Sequence, residues 1–290
     1  FGIPSLHVFI VTFGSFYTVY LFHLYVSTRE RHVLIFYFIN LFSAVLIYSR
    51  AMFVFNIIAS LLLLLLSAKT INYKVYILAP FLFLIFSFLF GVIGNLRVSH
   101  EAKVKYDNSI FLKTGQATHS IAESSIPKEF FWTYIYTSSS IANLQKNINN
   151  ADRHVSVTWF LKMVNNEMIF DFISKRINRI FGIPHPGEYT INGSFNVSTV
   201  YSVAYSHLGW IGMTIMFCYV LILPVIYLKP NGNGSPFSAT GFAILTTMYI
   251  FLAYDNTIRF TGLSFQLVYP LIFSWLEAKR IFVLRRPVSS

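Results

Sequence analysis

The sequence predicts an all-α, polytopic integral membrane protein: about seven transmembrane helices with one long extracytoplasmic loop that contains short helices. Three observations predict it. Hydrophobic residues fill 55% of the 290 positions and charged residues only 11%, which leaves too little polar surface to cover a soluble globule. Apolar runs of about 16–25 residues, the length that crosses a hydrocarbon core, recur along the chain. The short connections between them alternate between cation-rich and cation-poor, as the positive-inside rule requires.

The runs fall at 4–26, 33–48, 51–67, 76–95, 201–228, 237–254 and 263–278. Residues 1–95 therefore hold transmembrane helices 1–4, residues 96–200 the extracytoplasmic loop, and residues 201–290 helices 5–7 with a basic cytoplasmic tail. Arg29 and Arg31, Lys69 and Lys74, Lys229, and the cluster Lys279, Arg280, Arg285 and Arg286 share one parity and are placed inside. The N-terminus, Arg50, the loop and the turn from Asp255 to Gly262 are then outside. The reverse orientation would turn four basic connections outward at once. No basic segment with a small-residue cleavage site precedes the first run, and the chain opens on Phe1, so upstream helices are expected to be missing.

A net charge of +11 invites a nucleic-acid reading, but in a membrane chain the position of the cations outweighs their sum. No nucleic-acid partner is expected; the lipid bilayer is. The single cysteine, Cys218, lies in an apolar run, which excludes an internal disulfide and a cysteine-based metal cluster.

The loop carries eleven of the 22 Lys and Arg residues and eight of the 11 Asp and Glu residues. Pro127 followed by Phe130, Phe131, Trp132, Tyr134 and Tyr136 predicts a helix near 128–147 lying at the outer interface, where Trp and Tyr keep one edge wet. A second helix is expected near 155–180, closed by Lys175, Arg176 and Arg179 at its C-terminal end. Pro184-His185-Pro186-Gly187-Glu188 breaks it. Gly91 and Gly94 near the end of the fourth run either soften the helix exit or serve close packing.

Arginines stand out at three outer positions: Arg50 between two apolar runs, Arg97 at the end of the fourth, and Arg259. A guanidinium at such a depth costs several kcal/mol unless it is wet or paired. Arg50 is read either as a turn residue reaching the headgroups or as a ligand for an anion.

The segment Gly193-Ser194-Phe195-Asn196-Val197-Ser198-Thr199-Val200-Tyr201, running into Ala204-Tyr205-Ser206-His207-Leu208-Gly209-Trp210-Ile211-Gly212, resembles the bacterial O-antigen polymerases, the oligosaccharide repeat-unit polymerases. In those proteins an Asn/Thr-containing turn leads into a helix with an aromatic and a Gly-x-x-Gly step. Ser49-Arg50, and Trp132 to Tyr136 followed by Ala142-Asn143-Leu144, agree with the resemblance. The family often has an acid where this chain has His207.

The resemblance implies a glycosyltransferase of the bacterial inner membrane. It would move a glycan from an undecaprenyl-pyrophosphate-linked oligosaccharide to a second lipid-linked unit, with a chain-length regulator protein as partner. A departing pyrophosphate needs fixed cations, for which the planar guanidinium fork is suited; the catalytic candidates are Arg50 and Arg97, with Arg259 binding substrate. His207 is the first candidate for the proton acceptor, followed by His185 and Asp255. Tyr136, Asn143, Asn196 and Tyr205 are the remaining substrate-binding candidates, although aromatics at an interface need no ligand to explain them. No Asp-x-Asp cluster marks the outer loops, so neither a divalent metal nor another cofactor is expected. A flippase and an O-antigen ligase are the alternatives. A flippase is expected to show internal repeats and discontinuous helices with polar centres, and the sequence displays neither.

Overall fold

The structure, a computed structural model, describes residues 6–46, 50–67, 73–151, 156–183, 187, 189–193, 195–229 and 235–279, without the side chains of 44–46, 50, 51, 73–79 and 82. Every regular element among these residues is helical. The apolar helices are α1 (Leu6–Thr28), α2 (Arg31–Leu46), α3 (Arg50–Ser67) and α4 (Tyr73–Glu101). The polar interval holds α5 (Ser109–Thr114), α6 (His119–Ala122), α7 (Phe130–Asn150), α8 (Val157–Met163) and α9 (Asp171–Phe181). After it come α10 (Ser202–Leu208), α11 (Trp210–Leu228), α12 (Pro236–Phe251), α13 (Thr261–Ser264) and α14 (Val268–Ala278).

Three helical stretches are long and apolar enough to cross a membrane by length and composition: Leu6–Thr28, Phe83–Glu101 and Trp210–Leu228. At 1.5 Å per residue the 23 residues of α1 reach about 35 Å, beyond the roughly 30 Å of a hydrocarbon core. Helices α1, α2, α3, α12 and α14 form one bundle, with α1 against α2, α3 and α12, and α12 against α3 and α14. Its centre is apolar and tightly filled: Phe16, Phe55, Leu63, Ile244 and Met248 are fully enclosed, and Met163 and Met216 join them from the interval and from α11. Helix α4 stands against α7 and α5 instead.

Two predicted spans are corrected. The run 201–228 is not one helix. Gly209 takes φ 60° and ψ −140°, a conformation that only glycine enters without strain, and divides it into α10 and α11. All seven residues of α10 are buried, and it packs on α7 and α8, so it is an inner helix of the polar interval's cap. Gly212 lets α11 cross α10 closely, since a Cβ there would lie 2.1 Å from the Ala204 carbonyl oxygen. The Gly-x-x-Gly step thus provides one backbone break and one close approach. The run 263–278 stays helical without interruption but is not α throughout: α13 tightens through a 3₁₀ turn at Phe265–Leu267 into α14.

A polar cluster lies at that turn. The Ser15 hydroxyl is 2.6 Å from Asn56 Oδ1 and 3.0 Å from Gln266 Oε1, all three residues being buried. A polar centre is therefore present within the apolar bundle, contrary to the expectation from the sequence.

The two glycines of α4 do not soften its end, because the helix runs on to Glu101. They form the groove that takes α7: a Cβ at Gly91 would fall 2.0 Å from the Glu129 carbonyl oxygen, and one at Gly94 would fall 2.5 Å from the Trp132 ring.

Candidate functional site

Helix α7 turns Phe131 and Trp132 inward. Trp132 stacks on Phe111 at 3.5 Å between centroids and donates its indole N–H to Asn95 Oδ1 at 2.6 Å. With Phe195 these rings make a separate apolar cluster above α4. Only Tyr134 of the predicted interfacial aromatics is strongly exposed, because the glycine groove of α4 offers the other rings a better apolar partner than the interface.

Further along α7, Asn143 and Asn147 sit one turn apart and fully buried. Asn143 donates to the carbonyls of Phe195 and Val197 and accepts from the Ile191 N–H. Asn147 donates to the Tyr189 and Asn143 carbonyls and accepts from the Tyr189 N–H and the Ser206 hydroxyl. These amides take up backbone groups of the non-helical residues 189, 191, 195 and 197, which would otherwise be buried without bonds. Asn143 therefore positions the neighbouring segment, with its side chain committed to backbone.

What that strap positions is a small cavity of about 80 Å³ lined by Tyr136, Ser139, Phe195, Asn196, Val197 and Tyr254. Two predicted binding residues, Tyr136 and Asn196, meet here. Tyr136 lies between Trp132 and Tyr254, its ring near-parallel to that of Tyr254 at 6.0 Å. The hydroxyls of Ser139 and Tyr254 are buried without a hydrogen-bond partner. Burial pushes the Tyr254 phenol well above its ordinary range, with Tyr136 and Asp255 adding to the shift; the group stays neutral and can donate.

The second polar centre arises where the predicted helix 155–180 fails. After α8 the chain widens into a π turn, Val164–Met168, then extends at Ile169 and Phe170 before α9 begins. The wider turn carries Asn165, Asn166 and Glu167 inward. π turns of this kind re-aim side chains and cluster at functional sites. Glu167, 1% exposed, lies 3.3 Å from Arg259, which is 20% exposed, and accepts from Asn256 Nδ2 at 3.0 Å. Asn166 faces His207 at 3.5 Å between Nδ2 and Nε2. Adjacent residues of one turn thus join the predicted site residues His207 and Arg259.

His207 itself lies near the C-terminal end of α10 with 0% exposure and its ring 5.7 Å from that of Trp159. Tyr205 is fully enclosed too, edge-on to Trp210 with its hydroxyl donated to the Ile148 carbonyl, and its ring is closed to a sugar. Arg97 lies on α4, exposed and paired with Glu101 at 2.6 Å, with an electrostatic interaction with Tyr136. Arg50 begins α3; its side chain, with Ser49, His185 and Glu188, lies outside the described residues.

Two carboxylates flank the turn that carries Arg259. Asp171 accepts from Lys175 and from both the hydroxyl and the N–H of Thr261; burial raises its pKa, but these bonds outweigh burial and leave it below the usual range. Asp255, part of which reaches solvent, has its carboxyl hemmed in by neighbouring atoms, and this pushes its pKa up against the Asn256 N–H and the Arg259 charge. Sequence reasoning missed Ser139, Asn147, Asn166, Glu167, Tyr254 and Asn256. The run Asn165-Asn166-Glu167 between apolar neighbours was the available signal for the π turn. Among the described residues no cluster of three His, Cys, Asp or Glu is placed to hold a metal ion. No family model matches the chain, and no curated protein or solved structure matches it either.

Proposed function

We propose that this chain polymerises lipid-linked oligosaccharide repeat units, by glycosyl transfer from an undecaprenyl-pyrophosphate donor at the outer face of the bacterial inner membrane. In this reading the apolar helices make seven passages, α11 alone serving as the fifth and α13 with α14 counting as one, and the interval 96–200 is outside. The cation-rich connections support that orientation.

The observation that carries the reading is the cavity between α7, the strapped segment and Tyr254. An aromatic face at Tyr136, the amide of Asn196 and two unpartnered hydroxyls at Ser139 and Tyr254 are the chemistry that recognises a saccharide, which has apolar C–H faces and hydroxyl edges. At about 80 Å³ the cavity takes one exocyclic group of a sugar, with the ring at its mouth. Asp255 follows Tyr254 directly, and its raised pKa makes its carboxylate the better proton acceptor for an attacking hydroxyl. Arg259, held by Glu167 on the same turn, supplies positive charge toward the departing pyrophosphate. His207, buried behind Asn166, is assigned to positioning the π turn.

A second reading, movement of the lipid-linked glycan across the bilayer, is favoured by the buried Ser15, Asn56 and Gln266 cluster at the 3₁₀ turn between α13 and α14. Proteoliposomes supplied with a lipid-linked repeat unit separate the two. Polymerisation gives a ladder of lengthened glycans, which Asp255→Asn reduces by about 10²-fold or more and Asn196→Ala shortens. Translocation of the lipid with no new glycosidic bond would establish transport and reject polymerisation.

A further inference from the structure

Helix α9 is amphipathic in the inverse sense for a protein surface. Its polar side faces the protein: Asp171 bonds Thr261, and Asn178 bonds Asn165 and Asn166, with Ser174 also reaching Asn166. Its apolar side faces away. With successive residues about 100° apart, Ile173 and Ile180 lie on the outward side, with Ile177 and Phe181 on the flank next to it. Ile180 is 76% exposed and Phe181 73% exposed. Helix α8 turns Met163 and Trp159 toward the core but also leaves Val157, Phe160 and Leu161 exposed at i, i+3 and i+4.

The charge beside these stripes has one sign. Between Val157 and Phe181 the acids are Glu167 and Asp171, both buried and paired, whereas Lys162, Lys175, Arg176 and Arg179 stand along the outer edges. Arg176 lies over the Phe172 ring and Lys162 over the Trp159 ring, so the cations flank the apolar surface. An apolar stripe bordered by Lys162, Arg176 and Arg179, with Lys175 already paired to Asp171, is the pattern of a helix lying in the headgroup layer.

We propose that α8 and α9 form a membrane-surface foot, which seats its apolar stripe in the leaflet beside the helix bundle and binds anionic phospholipid headgroups through Lys162, Arg176 and Arg179. A lipid surface fits better than a protein because the same chain already supplies helices that cross a bilayer. The N-terminus of α9 is fixed at their edge, through the Asp171 N–H donated to the Arg259 carbonyl and through Phe172 against Phe265. The foot holds the π turn, and with it Glu167 and Arg259, at headgroup depth. The proposal stands independently of glycosyl transfer.

The test uses the full chain in nanodiscs of phosphatidylcholine with phosphatidylglycerol. A single environment-sensitive fluorophore is attached at Ile180→Cys in a Cys218→Ser background, with circular dichroism confirming an unchanged helix content. The expected result is about a twofold loss of emission with acyl-brominated lipids and little quenching by aqueous acrylamide. In phosphatidylcholine alone, or with Arg176→Gln and Arg179→Gln together, acrylamide quenching rises and bromolipid quenching falls. A label open to acrylamide and insensitive to bromolipid overturns the proposal. A label shielded from both shows a protein covering the face and also overturns it. Bromolipid quenching that ignores both phosphatidylglycerol and the two arginines rejects the anionic headgroups as the ligand.

Discussion

Helices α7 and α9 belong to the same polar interval and turn opposite faces to the protein. Helix α7 buries Phe131 and Trp132 at one end and two saturated asparagines at the other, whereas α9 buries Asp171 and Ser174 and leaves Ile180 and Phe181 outside. The partner decides which face is inner. Glycines of α4 open an apolar groove for α7, while the surface beneath α9 is built from the π-turn amides and Thr261. One contact rests on shape and neutral hydrogen bonds, the other on charge and polar pairing, so the two should fail in different ways.

The largest effect is expected at the charged contact. Glu167→Ala would remove the carboxylate paired with the mostly enclosed Arg259 guanidinium and the side-chain acceptor for Asn256, leaving that amide only its bond to the residue-167 carbonyl. Breaking a buried pair from one side costs about 3 kcal/mol or more. Glu167→Gln keeps an acceptor for Asn256 and should cost less, although it restores no charge. Thermal unfolding in detergent checks both variants. If Glu167→Ala melted like the unaltered protein, packing alone would be holding the π turn in place.

Next in size is Gly91→Ala at the shape-determined contact. The added methyl would meet the Glu129 backbone at 2.0 Å, and backbone cannot rotate aside as a flexible side chain would. Overpacking of this kind costs about 1–3 kcal/mol. The damage should remain local: near-ultraviolet signals from Trp132 and Phe111 should change while the Glu167 contact persists. A Gly91→Ala protein of unchanged stability would show that α4 and α7 approach less closely than described.

The same contrast explains what the sequence could reveal. Helix positions followed from apolar runs and from Pro127, because length and periodicity are local properties. Two of the predicted binding residues, Tyr136 and Asn196, do share a cavity, but Asn143 and Tyr205 are taken up by backbone bonds and packing. Single residues of these types read identically whether they bind a ligand or a neighbouring strand. The break at Gly209 and the π turn were hidden because hydropathy is continuous through the first, and a polar triplet in an otherwise plausible helix masks the second. Which face of α9 points inward depended on Thr261, 90 residues away, and no local pattern carries that information.

The smallest expected effect sets the two aspartates around Arg259 against each other. The Asp171 carboxyl ends below its ordinary range, since Lys175 and Thr261 overcome burial. Its ionised form is favoured by folding, so its contribution is present above the unfolded pKa of about 3.9 and is lost as pH falls through the folded value. The Asp255 carboxyl is raised by burial, so the folded protein holds that proton longer than the unfolded chain does. Stability then declines as pH rises from the unfolded pKa through the folded one, and the loss is complete above it. Asp171→Asn should therefore melt lower than the unaltered protein at neutral pH, and Asp255→Asn should melt slightly higher. The partial access of Asp255 to solvent keeps its change small. Both differences should shrink on acidification toward about pH 3, where the carboxylates of the unaltered protein are becoming protonated. Melting curves across that range decide it: two variants shifted in the same direction at neutral pH would mean that the Arg259 turn does not distinguish its two acids.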